Sequence, residues 1–413
     1  MQRGFFVVGL LVVFFFSTLE PVYSQEKGLG PGWLSLDGSV GLLDKRVESG
    51  KSTLEKALGI RISGFLDTSY TWSSNHPGGP EEDISLRVFD IDHNDVVFNH
   101  FNLTLERPEP EKGWGLGGKL VADFGRTAEL LREATFYGVS KLKGAGNGGE
   151  PSAELREAFL TTTIPVGAGL QVKGGLFVTT LGTEIIPNPG AYNDNISRSY
   201  LFGFAIPFRH LGMLLTYPLH KTVSVSAGPV TGWDNPHDNN RQPSFLGGIA
   251  ISPNEKASLA SNIIIGPERN DNNTDKRLAW SNVLTMKPTD PLTLILEYTY
   301  GHEERVTASG RDATWQGLGA IASYAWTNRF STGLRGEIFK DSDGARMVGG
   351  ALGVAKDVTV GEFTLTGAYK FAAKLLGRAE VRQDWADEKV FQKGSSRSDK
   401  NQTTLALQAI YTF

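Results

Sequence analysis

From Ile60 to the C-terminus, apolar and polar residues alternate with a period of two, in runs of about 10 to 14 residues, long enough for a strand to cross a membrane. In the first run Ile60, Ile62, Leu66, Tyr70 and Trp72 share one face, and Arg61, Ser63, Asp67 and Ser69 share the other. Leu292, Leu294, Leu296, Tyr298 and Tyr300 oppose Thr293, Glu297 and Thr299, while Val223, Val225, Ala227 and Trp233 oppose Thr222, Ser224 and Ser226. The last run sets Leu405, Leu407, Ala409 and Tyr411 against Thr404, Ala406, Gln408 and Thr412, and it stops on Phe413. Sixteen runs can be delimited: 60–73, 95–107, 113–124, 153–165, 168–180, 207–218, 221–234, 243–252, 256–266, 276–287, 291–302, 313–327, 329–340, 358–371, 374–386 and 401–413. Their connections are short at 108–112, 166–167, 219–220, 253–255, 288–290, 328 and 372–373, and long and polar in between. This rhythm predicts an all-β, antiparallel hairpin architecture. The stretch 345–355 is Gly-rich and apolar enough for a further strand. An odd count would leave the two ends of a closed barrel on opposite sides of the membrane, so it reads as a loop.

Alternation alone does not say which face is inside, because a soluble sandwich alternates with its apolar face inward. The two termini and the one-sided distribution of long loops decide for a transmembrane barrel. Residues 1–24 carry Arg3, an apolar run from Phe5 to Phe16, and the polar end Val22-Tyr23-Ser24, which predicts an export signal cleaved after Ser24. That run is too short for a spanning helix, which needs about 20 residues, and no later segment approaches that length. An exported chain without such a helix can still occupy a membrane as a closed sheet. The expected domains are therefore the signal at 1–24, a periplasmic N-terminal segment at 25–59 with a short helix or a linker over 44–58, and an outer-membrane barrel at 60–413.

Composition agrees with this and narrows the function. Mean hydropathy is only -0.20, as expected when alternate residues alone meet lipid. Glycine is frequent, at 49 of 413, and cysteine is absent, which excludes a disulfide scaffold. A net charge of -4 leaves no footprint for nucleic acid. A barrel of about sixteen strands encloses an aqueous lumen, whereas about eight strands are filled by side chains and about 22 surround a plug domain. Residues 25–59 are too few for a plug, so a diffusion channel is the leading class.

Several stretches resemble a known family. Leu181-Gly182-Thr183-Glu184, Asn193-Asp194-Asn195-Ile196-Ser197-Arg198-Ser199-Tyr200, Pro207-Phe208-Arg209-His210-Leu211-Gly212, Arg378-Ala379-Glu380-Val381-Arg382-Gln383-Asp384-Trp385 and the ending that starts Asn401-Gln402-Thr403 look like the OmpL-like putative β-barrel porin family. The resemblance spans about 60–413 and implies a bacterial outer-membrane porin, in a family whose substrates are mostly undefined. Phosphate-selective porins look like more distant relatives, but their Lys- and Arg-dense inner wall is not evident. Tyr411 and Phe413 resemble the C-terminal signal read by the barrel-assembly machinery, which is thus an expected partner along with outer-membrane lipids.

Two groups of residues are candidates for the pore. The connection 181–206 carries Glu184, Tyr192, Asp194, Arg198 and Tyr200, and its Ile185, Ile186, Pro187 and Pro189 are poorly suited to bulk water. Folded into the lumen, it would form a constriction that filters by size and charge; the alternative is an ordinary surface loop. The run 374–386 places Arg378, Glu380, Arg382 and Asp384 on one face and Ala379, Val381 and Trp385 on the other. A charge facing lipid at the midplane costs about 2–4 kcal/mol, so the charged face is the lumen. Arg335 and Glu337 fall on the same inner wall two strands earlier. The signs alternate, and a salt-bridge ladder that stiffens the wall is preferred over a selectivity filter.

The remaining chemistry is sparse. His76, His93, His237 and His302 fall in loops or at strand ends, His210 and His220 near turns, and His100 in a strand beside Asn102 and Glu106. None has the spacing to a nucleophile that a hydrolase requires, so no catalytic residues are assigned and an enzyme is not expected. The acidic segment 90–95 lacks the Gly and terminal Glu of an EF-hand loop and reads as a solvated loop, so no metal or cofactor is expected. Trp72, Tyr298, Tyr300, Trp326, Trp385 and Tyr411 suit an interfacial girdle better than sugar stacking. The expected function is a passive, water-filled channel for small hydrophilic solutes or ions, with a homotrimer as a common assembly for this size. A non-conducting barrel that acts as adhesin, receptor or envelope anchor is the second reading, and an outer-membrane hydrolase is the third. N-terminal sequencing of the protein recovered from outer membranes should begin at Gln25; recovery of a soluble periplasmic monomer would contradict the barrel.

Overall fold

The computed structural model describes residues 59–78, 83–109, 115–137, 153–307, 309–347 and 357–413. The signal expected at 1–24, the helix or linker expected at 44–58 and residues 348–355 of the ambiguous stretch lie outside the described residues. Sixteen strands form a closed antiparallel barrel: β1 (Arg61–Ser73), β2 (Val96–Arg107), β3 (Leu116–Phe124), β4 (Ala153–Ile164), β5 (Leu170–Val178), β6 (Arg209–His220), β7 (Val223–Val230), β8 (Ser244–Asn254), β9 (Ala257–Pro267), β10 (Lys276–Thr289), β11 (Leu292–Glu303), β12 (Ala313–Ala325), β13 (Phe330–Ser342), β14 (Val358–Ala372), β15 (Leu375–Ala386) and β18 (Asn401–Thr412). Between β15 and β18 a small hairpin, β16 (Phe391–Lys393) with β17 (Arg397–Asp399), rises from the last long loop. Each expected run coincides with one barrel strand to within a few residues at its ends.

The barrel closes where β1 pairs with β18, in a register running from Phe65↔Thr412 to Ser73↔Thr404. Beyond that ladder the Gly64 N–H donates to the Phe413 carbonyl at 3.1 Å, and the Phe413 N–H donates back to the Gly64 carbonyl at 2.9 Å. The Phe413 ring stacks on Phe101 of β2, with centroids 6.1 Å apart. A Cβ on residue 64 would sit 2.5 Å from the Phe413 ring and 2.4 Å from the Asn102 carbonyl, so only glycine admits this seam.

Alternate side chains turn outward, and they are apolar: Leu160, Ile338 and Leu407 are 57%, 50% and 59% exposed. A belt of this kind greatly exceeds the apolar patches that a soluble monomer tolerates, and hydrocarbon is its natural cover. Aromatic pairs mark the short-turn end, Tyr324 with Trp326 (4.5 Å) and Tyr369 with Phe371 (5.0 Å), while Trp72, Trp280 and Trp385 lie toward the other end. The eight long loops, L1 (74–95), L2 (125–152), L3 (179–208), L4 (231–243), L5 (268–275), L6 (304–312), L7 (343–357) and L8 (387–400), share one end of the barrel. By the usual asymmetry of such barrels that end is extracellular.

Three sequence expectations need correction. β6 continues through His220, so the turn expected at 219–220 falls at Lys221 and Thr222. Trp233 does not face lipid: β7 ends at Val230, and Trp233 packs inside the mouth against Trp315, centroids 6.2 Å apart. Its N–H donates to Glu268 Oε2 at 2.7 Å; burial pushes that carboxyl up to about 7. A helix, α1 (Arg126–Tyr137), also lies in L2, where no helix was expected. The seam at Gly64 generates a test. Gly64→Val should overpack it by about 1–3 kcal/mol, and it should reduce the heat-modifiable band on unheated gels, as should Phe413→Asp. Wild-type amounts of folded barrel for both variants would contradict the closure.

Candidate functional site: the lumen and the loop that crosses it

After Val178 the chain leaves the wall and enters the lumen as L3, and its hydrogen bonds mark its path around the barrel. The Gly182 N–H donates to Ser281 Oγ on β10 (3.0 Å), and the Thr183 N–H donates to Glu297 on β11 (3.1 Å). On the opposite side Arg156 of β4 donates to the Pro187 carbonyl (2.7 Å) and to Asn188 Oδ1 (2.8 Å), which Lys119 of β3 also reaches. Tyr192 then meets β1 and β18, with its hydroxyl 2.8 Å from Thr412 Oγ1 and its ring edge-on to Phe65 at 5.4 Å. L3 returns along β12 to β15, where Asp194 accepts from Ser323 and the Asn195 amide donates to Thr366 Oγ1 (2.8 Å). The loop therefore spans the lumen from wall to wall.

The returning arm is held by charged side chains of the wall. Glu380 accepts the N–H groups of Ile196 (2.6 Å) and Ser197 (3.0 Å), and Glu337 accepts those of Tyr200 and Leu201. Arg378 donates to the carbonyls of Asn193 and Asn195, Arg335 to that of Ser197 (2.7 Å), and Arg382 to that of Arg198. The wall charges also pair among themselves and with the loop: Arg335 with Glu184 (2.7 Å) and Glu362 (2.8 Å), and Arg382 with Asp384 (2.8 Å). Residues Leu201–Ala205 form one π-helical turn, all buried. Trp315 Nε1 donates to the Ala205 carbonyl (3.0 Å) and Arg346 Nε to the Phe204 carbonyl (2.7 Å), so the turn's end is satisfied from β12 and L7.

The arrangement divides the lumen in two. Above the loop, each of the sixteen barrel strands carries a buried inward side chain, for example Ser73, Phe177, Leu246, Trp315, Val360 and Asp384. Phe177, Leu246, Trp315 and Val360, together with parts of L1, L3, L4, L7, L8 and α1, build an apolar cluster inside the barrel mouth. Below the loop many inward positions are small or polar and reached by water, among them Thr161, Gln171, Thr216, Ser224, Ser258 and Ser331. Lys173 also faces this vestibule, its ammonium 4.9 Å from the Phe159 ring centroid.

Of the residues singled out in the sequence, Glu184, Tyr192 and Asp194 are tied to the wall. Arg198 turns back to the Ile196 carbonyl (2.8 Å), with its guanidinium 5.8 Å from the Phe89 ring. Arg335, Glu337, Arg378, Glu380, Arg382 and Asp384 lie on the inward face but are almost fully covered by L3. Glu362 was missed, although the alternation of β14 sets it with Thr364 and Thr366 against Phe363 and Leu365. Arg87 of L1 was missed as well; it reaches Asp384 (2.7 Å) from a loop with no periodic signal. The expected solvated acidic loop is also corrected: Asp90 pairs with Arg87 (2.6 Å) and Asp92 with Arg126 (3.0 Å). Among the described residues no group of three or more His, Cys, Asp or Glu is placed to hold a metal ion.

The model of the family described as putative beta-barrel porin-2, OmpL-like, matches residues 59–413. Among solved structures the fold is similar to the outer-membrane channel DcaP of Acinetobacter baumannii, at 13% identity and a TM-score of 0.53, covering 86% of this chain and 97% of that one. It is also similar to an anion-selective porin from Comamonas acidovorans, at 10% identity and a TM-score of 0.56, covering 86% and 99%. A third similar structure is the trimer form of OmpT from Vibrio cholerae, at 11% identity and a TM-score of 0.54, again covering 86% and 99%. A search among curated proteins returned no match.

The clamp generates its own test. Arg335→Met leaves Glu184 buried without its cation and Glu362 with Arg382 alone, 3.7 Å away, a loss of about 3–5 kcal/mol. The exposed Arg61–Glu106 pair (3.6 Å, side chains 56% and 43% exposed) should contribute about 0–1 kcal/mol, so Arg61→Met serves as the control. Arg335→Met should lower the unfolding temperature and open L3 to protease, while Arg61→Met should do neither; equal behaviour would remove the clamp from the account.

Proposed function

The chain belongs to the putative beta-barrel porin-2, OmpL-like family, and from that premise we propose that it is a passive outer-membrane channel for small hydrophilic solutes or ions. The observation that carries this reading is the water-reached vestibule of small and polar side chains below a loop that narrows the lumen. Glu184, Tyr192, Asp194 and Arg198 of L3 are proposed as the constriction. The buried wall charges Arg335, Glu337, Arg378, Glu380, Arg382 and Asp384 are proposed to fix its shape rather than to face the solute. Paired charges give little net field for one sign of ion, so selectivity should be weak, unlike that of the anion-selective Comamonas porin. A homotrimer, as in the OmpT trimer form, is the proposed assembly, with the assembly machinery reading Phe413.

A second reading, a barrel that does not conduct, is favoured by one observation, the buried inward residues on every strand of the mouth. Planar-bilayer recording separates the two. Currents in symmetric salt should appear for the channel, and shortening 185–195 should raise them. Arg198→Glu should shift the reversal potential toward cations by more than Arg397→Glu, a change on the exposed L8 hairpin. Equal shifts, or a tenfold anion preference in the wild type, would contradict the proposed constriction.

A further inference from the structure

We propose that residues 83–92 of L1 form a removable stopper seated on L3, so that the channel alternates between a closed mouth and an open one. The proposal rests on the channel reading above. The strap folds on itself, with the Ile84 N–H donating to the Ile91 carbonyl (2.6 Å) and Asp83 bridging Asp92. It docks on the π-helical turn of L3: Phe89 packs against Phe202 (5.8 Å) and Phe208 (5.4 Å), and Val88 covers Gly203. Arg87 then crosses to the wall, where it donates to Asp384 (2.7 Å) and Thr404 (3.1 Å). The strap thus lies over the loop that spans the lumen and completes the apolar fill of the mouth.

Three features mark it as removable. The ladder of the barrel does not run through it, since β1 pairs directly with β2 and β18. Leu86 sits at φ 57°, a left-handed conformation that branched side chains adopt only at a cost. Arg87 Nε and Asp90 Oδ1 are buried without a hydrogen-bond partner. Strain and orphaned polar atoms weaken the seat, and a segment that opens locally is drawn from the weakly held parts of a fold.

The seat itself supplies the test. A Cβ built on Gly203 lies 3.5 Å from Val88 Cβ, within the range a disulfide needs, and the chain has no other cysteine. In full-length Val88→Cys/Gly203→Cys, oxidation should lower single-channel open probability at least tenfold relative to the same channels after reduction. Arg87→Ala, which removes the strap's charged bond to the wall without adding a new one, should raise the open fraction severalfold over the wild type. Equal currents in the oxidised and reduced double variant, with the bond verified by mass, would overturn the stopper while leaving the channel intact. An unchanged open fraction in Arg87→Ala would overturn it too, even if the cysteine pair fails to assemble. Silence of every variant in both redox states, from barrels that are folded and heat-modifiable, would sink the channel reading and the stopper with it.

Discussion

A loop that enters a barrel must find a partner for each peptide group it takes away from water, and the inner wall of this protein is built around that requirement. The N–H groups of Ile196, Ser197, Tyr200 and Leu201 need acceptors, and Glu380 and Glu337 supply them in pairs. Carbonyls at 193, 195, 197 and 198 need donors, and Arg378, Arg335 and Arg382 supply those. Carboxylates brought together on neighbouring strands would repel one another unless cations stood between them. Alternation of sign along β13 to β15 is thus what a lumen-crossing loop demands of its wall. Buried ion pairs offset their desolvation only when the geometry is good, so their role here is to fix the loop in one register rather than to add stability.

The strands were legible because lipid on one side and water or loop on the other impose a strict period of two, and register follows from it. That pattern also brought Arg378, Glu380, Arg382 and Asp384 onto one face. What it could not convey is whether water or protein lies opposite that face, since both accept charge. Glu362 shows how near the limit was: Phe363 and Leu365 announce the opposite face, but a single acid among threonines drew no attention. Trp233 shows the limit itself. The alternation that places Val223, Val225 and Ala227 outward ends with the ladder at Val230, and beyond it the direction of a side chain is set by Glu268 and Trp315. Arg87 and α1 lie in loops, where contacts distant in sequence decide the structure.

The contrast between the two halves of the lumen follows from the same physics. Below L3 the wall needs only to be wetted, and small residues such as Ser224, Ser258 and Ser331 leave room for water. Above it, the loops carry apolar side chains that must be shielded, and they turn inward onto Phe177, Leu246, Trp315 and Val360 rather than out into solvent. On the channel reading, solutes pass only if part of this fill yields. The barrel strands cannot, because each backbone bond lost in hydrocarbon costs several kcal/mol. L3 is pinned on opposite sides of the wall through charged bonds. L1 has a different standing: it reaches the wall through Arg87 and the Ser85 carbonyl, α1 through the Asp92–Arg126 pair and L8 through Ser85 Oγ, while its hold on L3 is a few apolar contacts and a glycine that leaves space for Val88. Of the elements that fill the mouth, the strap is thus the one whose departure, as proposed, would leave both the sheet and the bonds that pin L3 in place.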